Sequence, residues 1–220
     1  MTEPLDPAKL KSALPRKFYD RDPRRVSCDL LGKVLVRTQG KKITAAARIV
    51  EVEAYFGPHD AAAHSFIGRT ARNAILFGPS GFAYVYFIYG NHYCLNVSCL
   101  PDGVPGGILF RAVEPLFGIE DMAQARGMPL NGNLRLLTSG PGRLAQAFGI
   151  TRERDNGKDL TDARSDLFIA DDGFHVPGVL KTPRIGITKS ADLPWRFVIG
   201  GNPFVSGPRK FQVAVQSSRH

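Results

Sequence analysis

Cysteine, acidic residues and long apolar runs are all scarce in this chain, and each shortage removes a class of protein. Three cysteines (Cys28, Cys94 and Cys99) among 220 residues follow neither disulfide nor metal-ligand spacing, which suits a reducing cytosol. No apolar run is long enough to span a membrane, and no basic-apolar-small leader opens the sequence. A cytosolic location with no membrane partner is the expectation. His59 and His64 are five residues apart, so they do not share a helical face, and neither has a neighbouring Cys. No metal and no cofactor is expected. Gly78-Pro-Ser-Gly81 and Ser139-Gly-Pro-Gly-Arg143 lack the spacing of a nucleotide-binding loop. There is no nucleophilic Ser motif, no Cys in an activating context, and no Lys in an apolar setting that suggests Schiff-base chemistry.

The shortage of acid leaves a surplus of base. Lys and Arg number 29 against 20 Asp and Glu, for a net charge of +9. Such a charge permits a polyanionic partner without identifying one. The length is enough for one domain with a substantial core. Residues 1–15 are expected to be a flexible N-terminal segment, 16–207 a single domain and 208–220 a C-terminal tail.

Helix signals are clear after Asp22, where Pro23 takes the first helical position, Val26 and Leu30 face inward and Gly32 closes the helix. Further helices are expected near Ile119 to Arg126, stopped by Gly127, and from Ser139-Gly-Pro141 to Gly149. Short helical turns are expected after Pro58 and Thr70. Strands are predicted at Val34–Arg37, Ile43–Tyr55, Ile108–Val113, Leu167–Ala170, Arg184–Ile187 and Trp195–Ile199, with residues 151–166 as a charged loop. Strands outnumber helices and connect mostly through turns. The fold class is therefore α+β: a single domain on a curved, mainly antiparallel β-sheet, with a protruding β-hairpin and flanking helices.

That hairpin is residues 82–98, turning at Tyr89-Gly90-Asn91-His92. Alternation puts Tyr84, Tyr86 and Ile88 on one face, with Cys94, Asn96 and Ser98 sharing a face of the return strand. Two readings stand. The tyrosines are either a buried aromatic face, or Tyr89 is a wedge for a base stack while Tyr86 lines a pocket for a flat ring.

In Ile49–Tyr55, alternation puts Glu51, Glu53 and Tyr55 on one face, the carboxylates roughly 6–7 Å apart along the strand. They are surface charges if that face meets solvent. They are chemistry if it meets a cleft, which the abrupt Gly57-Pro58 ending and the return of the chain at His64 favour. His64 itself reads equally as a pocket donor or a structural residue. Ser139–Arg143 reads as a simple helix cap or as amides beside Arg143 that suit a phosphate.

Several motifs in one order carry more than any one of them. Val50-Glu-Val-Glu-Ala-Tyr55, Asp60-Ala-Ala-Ala-His64, Arg72-Asn73, Tyr84-Val-Tyr86, Tyr89-Gly90, Cys94-Leu-Asn96, Arg111-Ala-Val-Glu-Pro115, Ser139-Gly-Pro141 and Arg184-Ile-Gly186 resemble the alkyladenine (3-methyladenine) DNA glycosylases, bacterial members included. The likeness runs from about Arg16 to Ser206. It implies a monomeric, monofunctional enzyme that uses water and no metal on double-stranded DNA containing damaged purines. It puts the general base on Glu53 and an arginine at the active-site floor, near the catalytic water, on Arg111. The pocket tyrosines fall on Tyr55 and Tyr86, with His64 as their companion. Asn96 falls on the screen against the amino group of normal guanine. Tyr89 matches the side chain that fills the gap in the duplex, and Arg143 a phosphate contact. Asn91 departs from the Met common after the tip glycine, and Phe66-Ile67-Gly68 is atypical after the His; both bear on substrate breadth. Two other functions fit parts of the pattern: a non-catalytic nucleic-acid binding module, and a small-molecule glycoside or nucleoside hydrolase using Glu51 and Glu53.

Overall fold

A computed structural model of the chain describes Leu10, residues 12–88, Gly90, residues 92–130 and residues 132–207. Two short helices open it, α1 (Arg16–Tyr19) and α2 (Pro23–Leu30). The Asp22 carboxylate accepts a hydrogen bond from the Arg24 amide, satisfying one of the orphan N–H groups at the start of α2. Val26 and Leu30, four residues apart, are fully buried beneath it. The first two strands are β1 (Val34–Gln39) and β2 (Lys42–Tyr55). They pair antiparallel around a turn at Gly40, whose φ of 62° suits a residue without Cβ.

The hairpin follows as β3 (Ala83–Ile88) and β4 (His92–Ser98), then β5 (Gly107–Phe117). Four helices come next: α3 (Ile119–Ala125), α4 (Arg135–Thr138), α5 (Pro141–Ala147) and α6 (Arg152–Asp155). The chain finishes in β6 (Leu167–Ala170), β7 (Val179–Thr182) and β8 (Arg196–Ile199). The strand order is β3-β4-β5-β2-β1-β6, with β8 on β2 and β7 on β8. Every pairing is antiparallel and the sheet is curled, which is the α+β architecture expected.

The 14-residue β2 organises the rest. Its first half pairs with β1, and its second half lies between β5 and β8. Irregular register on either side of Glu51, in the pairing with β5, bends the strand there. Val50, Val52 and Ala54 are fully buried in the main core, and Glu51 and Glu53 are just as buried. A smaller apolar cluster of Leu10, Val34, Val36, Ala46, Phe168 and Ala170 is separate from the main core, to which Leu35 belongs. Within the segment read as a flexible lead, Leu10 and Leu14 are buried and Ala13 bridges Ala170.

Several local expectations are corrected. Arg184–Ile187 is not a strand. Gly186 has a φ of 77° there, and the strand that joins β8 is β7. The strand expected at Ile108–Val113 does not stop there but continues to Phe117, with Pro115 opposite Ala47. β4 pairs with β5 only through Leu109, so no β4 carbonyl faces the missing Pro115 N–H. Residues 151–166 are not all loop: Thr151 caps the single turn of α6. Buried Asp155 at its end pairs with Arg37 of β1 at 2.8 Å. Asn156 then accepts the Val85 amide at 2.9 Å, which steadies the base of the hairpin.

Candidate active site

The hairpin, β2, β5 and the loop after β7 enclose a cavity of about 540 Å3, within the usual range for a small-molecule site. Tyr55, His64, Tyr86, Asn96, Arg111 and Arg143 all line it. Six side chains singled out from sequence therefore share one cavity, although they span 89 positions of chain from Tyr55 to Arg143.

Glu53 lies behind this lining with no exposed surface. Its Oε2 accepts the Tyr55 hydroxyl at 2.9 Å and Arg111 Nη1 at 3.3 Å, and its Oε1 accepts the Ile185 amide at 2.8 Å. All three neighbours donate, which matches an ionised carboxylate. A carboxylate has about four acceptor directions, so among the described residues Oε1 keeps one uncommitted. Burial, then the Glu53 charge, pushes the Tyr55 pKa well up, so its phenol stays a donor.

Glu51 is held by four donors, three of them on Oε1. It accepts Arg111 Nε at 3.1 Å, Arg196 Nε at 2.6 Å, Ser206 Oγ at 2.8 Å and the Ser206 amide at 2.6 Å. Glu51 pairs with Arg111, while Arg48 pairs with Asp172. Arg111 thus bridges both carboxylates. Burial works against its charge, yet Glu53 and Glu51 outweigh that and raise its pKa. The two acids and the two guanidiniums balance, as buried charges must.

The aromatic wall is built from β3. His64 sits edge-on to Tyr86, with ring centroids 4.5 Å apart, and its Nδ1 lies 3.0 Å from the Tyr84 hydroxyl. Desolvation, then the charge of Arg72, lowers the His64 pKa, so the imidazole is neutral at pH 7. Asn73 fixes the loop that carries it, donating to the His64 and Gly68 carbonyls at 2.9 and 3.0 Å. Asn96 spends one amide hydrogen on the Tyr84 carbonyl at 3.1 Å, which orients its carboxamide in the wall.

Tyr89 lies outside the described residues. In the 139–143 segment the Gly140 amide donates to the Arg111 carbonyl at 2.9 Å. That bond joins the start of α5 to β5 and leaves Arg143 exposed, with Nη1 on the Ser139 carbonyl.

Other contributors had no role from sequence. Arg184 and Asp60, both with fully buried side chains, pair through two hydrogen bonds of 2.6 and 2.8 Å. The Arg184 guanidinium also lies 4.6 Å from the Tyr55 ring centroid and donates to the Ala54 carbonyl at 3.0 Å. The pair thus holds the end of β2, the 57–65 loop and the loop that presents Ile185 to Glu53. Asp60 and Arg184 did stand in the motifs of the resemblance. Arg196, Ser206 and the Ile185 amide carried no signal at all.

A family model for methylpurine-DNA glycosylase (MPG) matches residues 17–203. The chain belongs to the methylpurine-DNA glycosylase family. Similar proteins carry a matching name. A Koribacter versatilis protein named “Putative 3-methyladenine DNA glycosylase” is 65% identical over 196 residues, covering 89% of this chain and 94% of that one. Proteins of the same name from Burkholderia lata and Alkaliphilus oremlandii are 50% and 47% identical, covering 90% and 88% of this chain and 92% and 98% of their own. The cavity of this family member is lined by Tyr55, His64, Tyr84 and Tyr86, with the Glu53 carboxylate buried behind them. No helix among the described residues is long and apolar enough to cross a membrane.

Proposed function

We propose that this glycosylase extrudes alkylated or deaminated purines from double-stranded DNA and hydrolyses their N-glycosidic bond, leaving an abasic site. One observation carries the reading: Glu53, buried and held by three donors, keeps an acceptor direction on Oε1 beneath an aromatic cavity.

Extrusion costs a few kcal/mol, least for damaged bases. Stacking on Tyr55 and Tyr86 returns about 1–3 kcal/mol per contact. Glu53 takes a proton from water as that oxygen bonds to C1′. The C1′–N bond breaks and its electron pair leaves with the base. Arg111 and Tyr55 hold the carboxylate still, and its charge stabilises the oxocarbenium-like sugar. Purines methylated on a ring nitrogen are cationic and leave without acid help. Asn96 screens against the guanine amino group, Arg143 meets a phosphate and Tyr89 fills the vacated stack. The protein acts as a monomer with no second, lyase activity.

The placement of Glu51 bears on the rival glycoside hydrolase. Glycoside chemistry needs two carboxylates flanking the bond, whereas Glu51 and Glu53 lie two residues apart on one strand and Glu51 is fully buried against Arg196 and Ser206. The direct test is to incubate the protein with alkylated duplex and heat in alkali. Strand scission at abasic sites is expected; binding without scission favours the non-catalytic module, and release from free nucleosides without duplex preference favours the hydrolase. Tyr89→Ser is expected to weaken extrusion of a fluorescent base analogue while chemistry persists. Unchanged extrusion would remove Tyr89 from the wedge role.

A further inference from the structure

Most charges around the cavity are cancelled where they stand. Glu51 and Glu53 face Arg111 and Arg196, and Asp60 faces Arg184. Arg72 is different. It is exposed, lies 5.7 Å from the centroid of the Tyr86 ring, and among the described residues no carboxylate pairs with it. Its hydrogen-bond partners among the described residues are uncharged: the Phe87 carbonyl at 3.5 Å and the Tyr84 hydroxyl. Tyr55, the other stacking surface, already carries Arg184 at 4.6 Å.

A ring engaged by one cation attracts a second less, because the two charges repel. Both phenol rings that receive the base therefore have a cation beside them, and only the one on Tyr86 lacks a counter-ion.

We infer that Arg72 is a specificity-determining residue: its unpaired charge beside Tyr86 selectively weakens the hold on cationic, ring-methylated purines and leaves neutral ones such as hypoxanthine unaffected. The same charge reaches the two groups next to Tyr86. After desolvation, it is the cause that lowers the His64 pKa, and it opposes the rise that burial imposes on Tyr84. A cationic base in this corner meets a positive field with no acid to offset it, whereas a neutral base meets only the rings. The inference rests on the base-release function proposed above and deepens it by naming what sets substrate preference.

The test is base release by wild type, Arg72→Gln and Arg72→Lys from three matched duplexes, two holding a cationic methylpurine (7-methylguanine, 3-methyladenine) and one holding hypoxanthine. The readout is kcat/KM for each cationic base divided by that for hypoxanthine. Removing the charge in Arg72→Gln is expected to raise the ratio by about two- to fivefold, the worth of one exposed cation–π contact. Arg72→Lys, which keeps a charge, should return the ratio toward wild type. If Arg72→Gln lowers release of all three bases by one factor, Arg72 is a phosphate contact or a scaffold residue and the inference is overturned. An Arg72→Gln ratio equal to wild type overturns it too. Absence of release by wild type would instead overturn the proposed function itself, so the two failures are distinguishable.

Discussion

Glu53→Gln is expected to bind damaged duplex normally and to release the base about 10²–10⁴-fold more slowly, the usual contribution of a positioned general base. The substitution preserves volume, but its one oxygen can accept either the Tyr55 and Arg111 donors or the Ile185 amide, not all three. The change falls on the uncommitted acceptor direction. An amide cannot take the water's proton, and it offers no charge to a developing sugar cation. One amide hydrogen will also point at a donor, so Arg111 loses part of its counter-charge. Thermal unfolding must therefore be measured beside the kinetics, since a protein destabilised throughout would lose binding as well. Single-turnover release with saturating enzyme separates the chemical step from affinity. A wild-type rate in Glu53→Gln would strip Glu53 of the assignment.

Asp60→Ala is the second large effect, and it acts on stability. It leaves the Arg184 guanidinium in a site where both side chains are fully buried. Breaking such a pair from one side costs about 3–5 kcal/mol, because the survivor is an uncompensated charge. Arg184 would keep the Ala54 carbonyl, but its two short bonds to Asp60 would go. The Phe56 and Ala62 amides, which Asp60 also accepts, would lose their acceptor. Urea unfolding of wild type and Asp60→Ala gives the difference directly. A loss below about 1 kcal/mol, the value of an exposed pair, would mean that water reaches Arg184. Base release should fall as well, because Ile185, which donates to Glu53, follows Arg184 directly.

Much of this was legible in the residues. The hairpin was written in its aromatic alternation and in Gly90, whose φ is 72°. Strand alternation placed Glu51, Glu53 and Tyr55 on one side of β2; Tyr55 lines the cavity and both acids are buried rather than solvated. Pattern could not separate the two acids, because the difference lies in partners from distant chain. Ile185 reaches Glu53 with a backbone amide, which any residue could supply. Arg184–Ile187 has a β-branched alternation that reads as strand, yet Gly186 at positive φ turns it away from the ladder. α4 and α6 are four residues each, too short for a helical period to register.

The lock on Glu51 has a consequence for how the enzyme is made. Three of the four bonds to that acid come from Arg196 and Ser206, at the far end of the described chain. During synthesis the cavity walls leave the ribosome first, and the carboxylate floor is fastened only when residue 206 arrives. The contact spans 155 positions, so its loop closes late. Until residues 196 and 206 arrive, Arg111 is the one of those four donors that Glu51 can have.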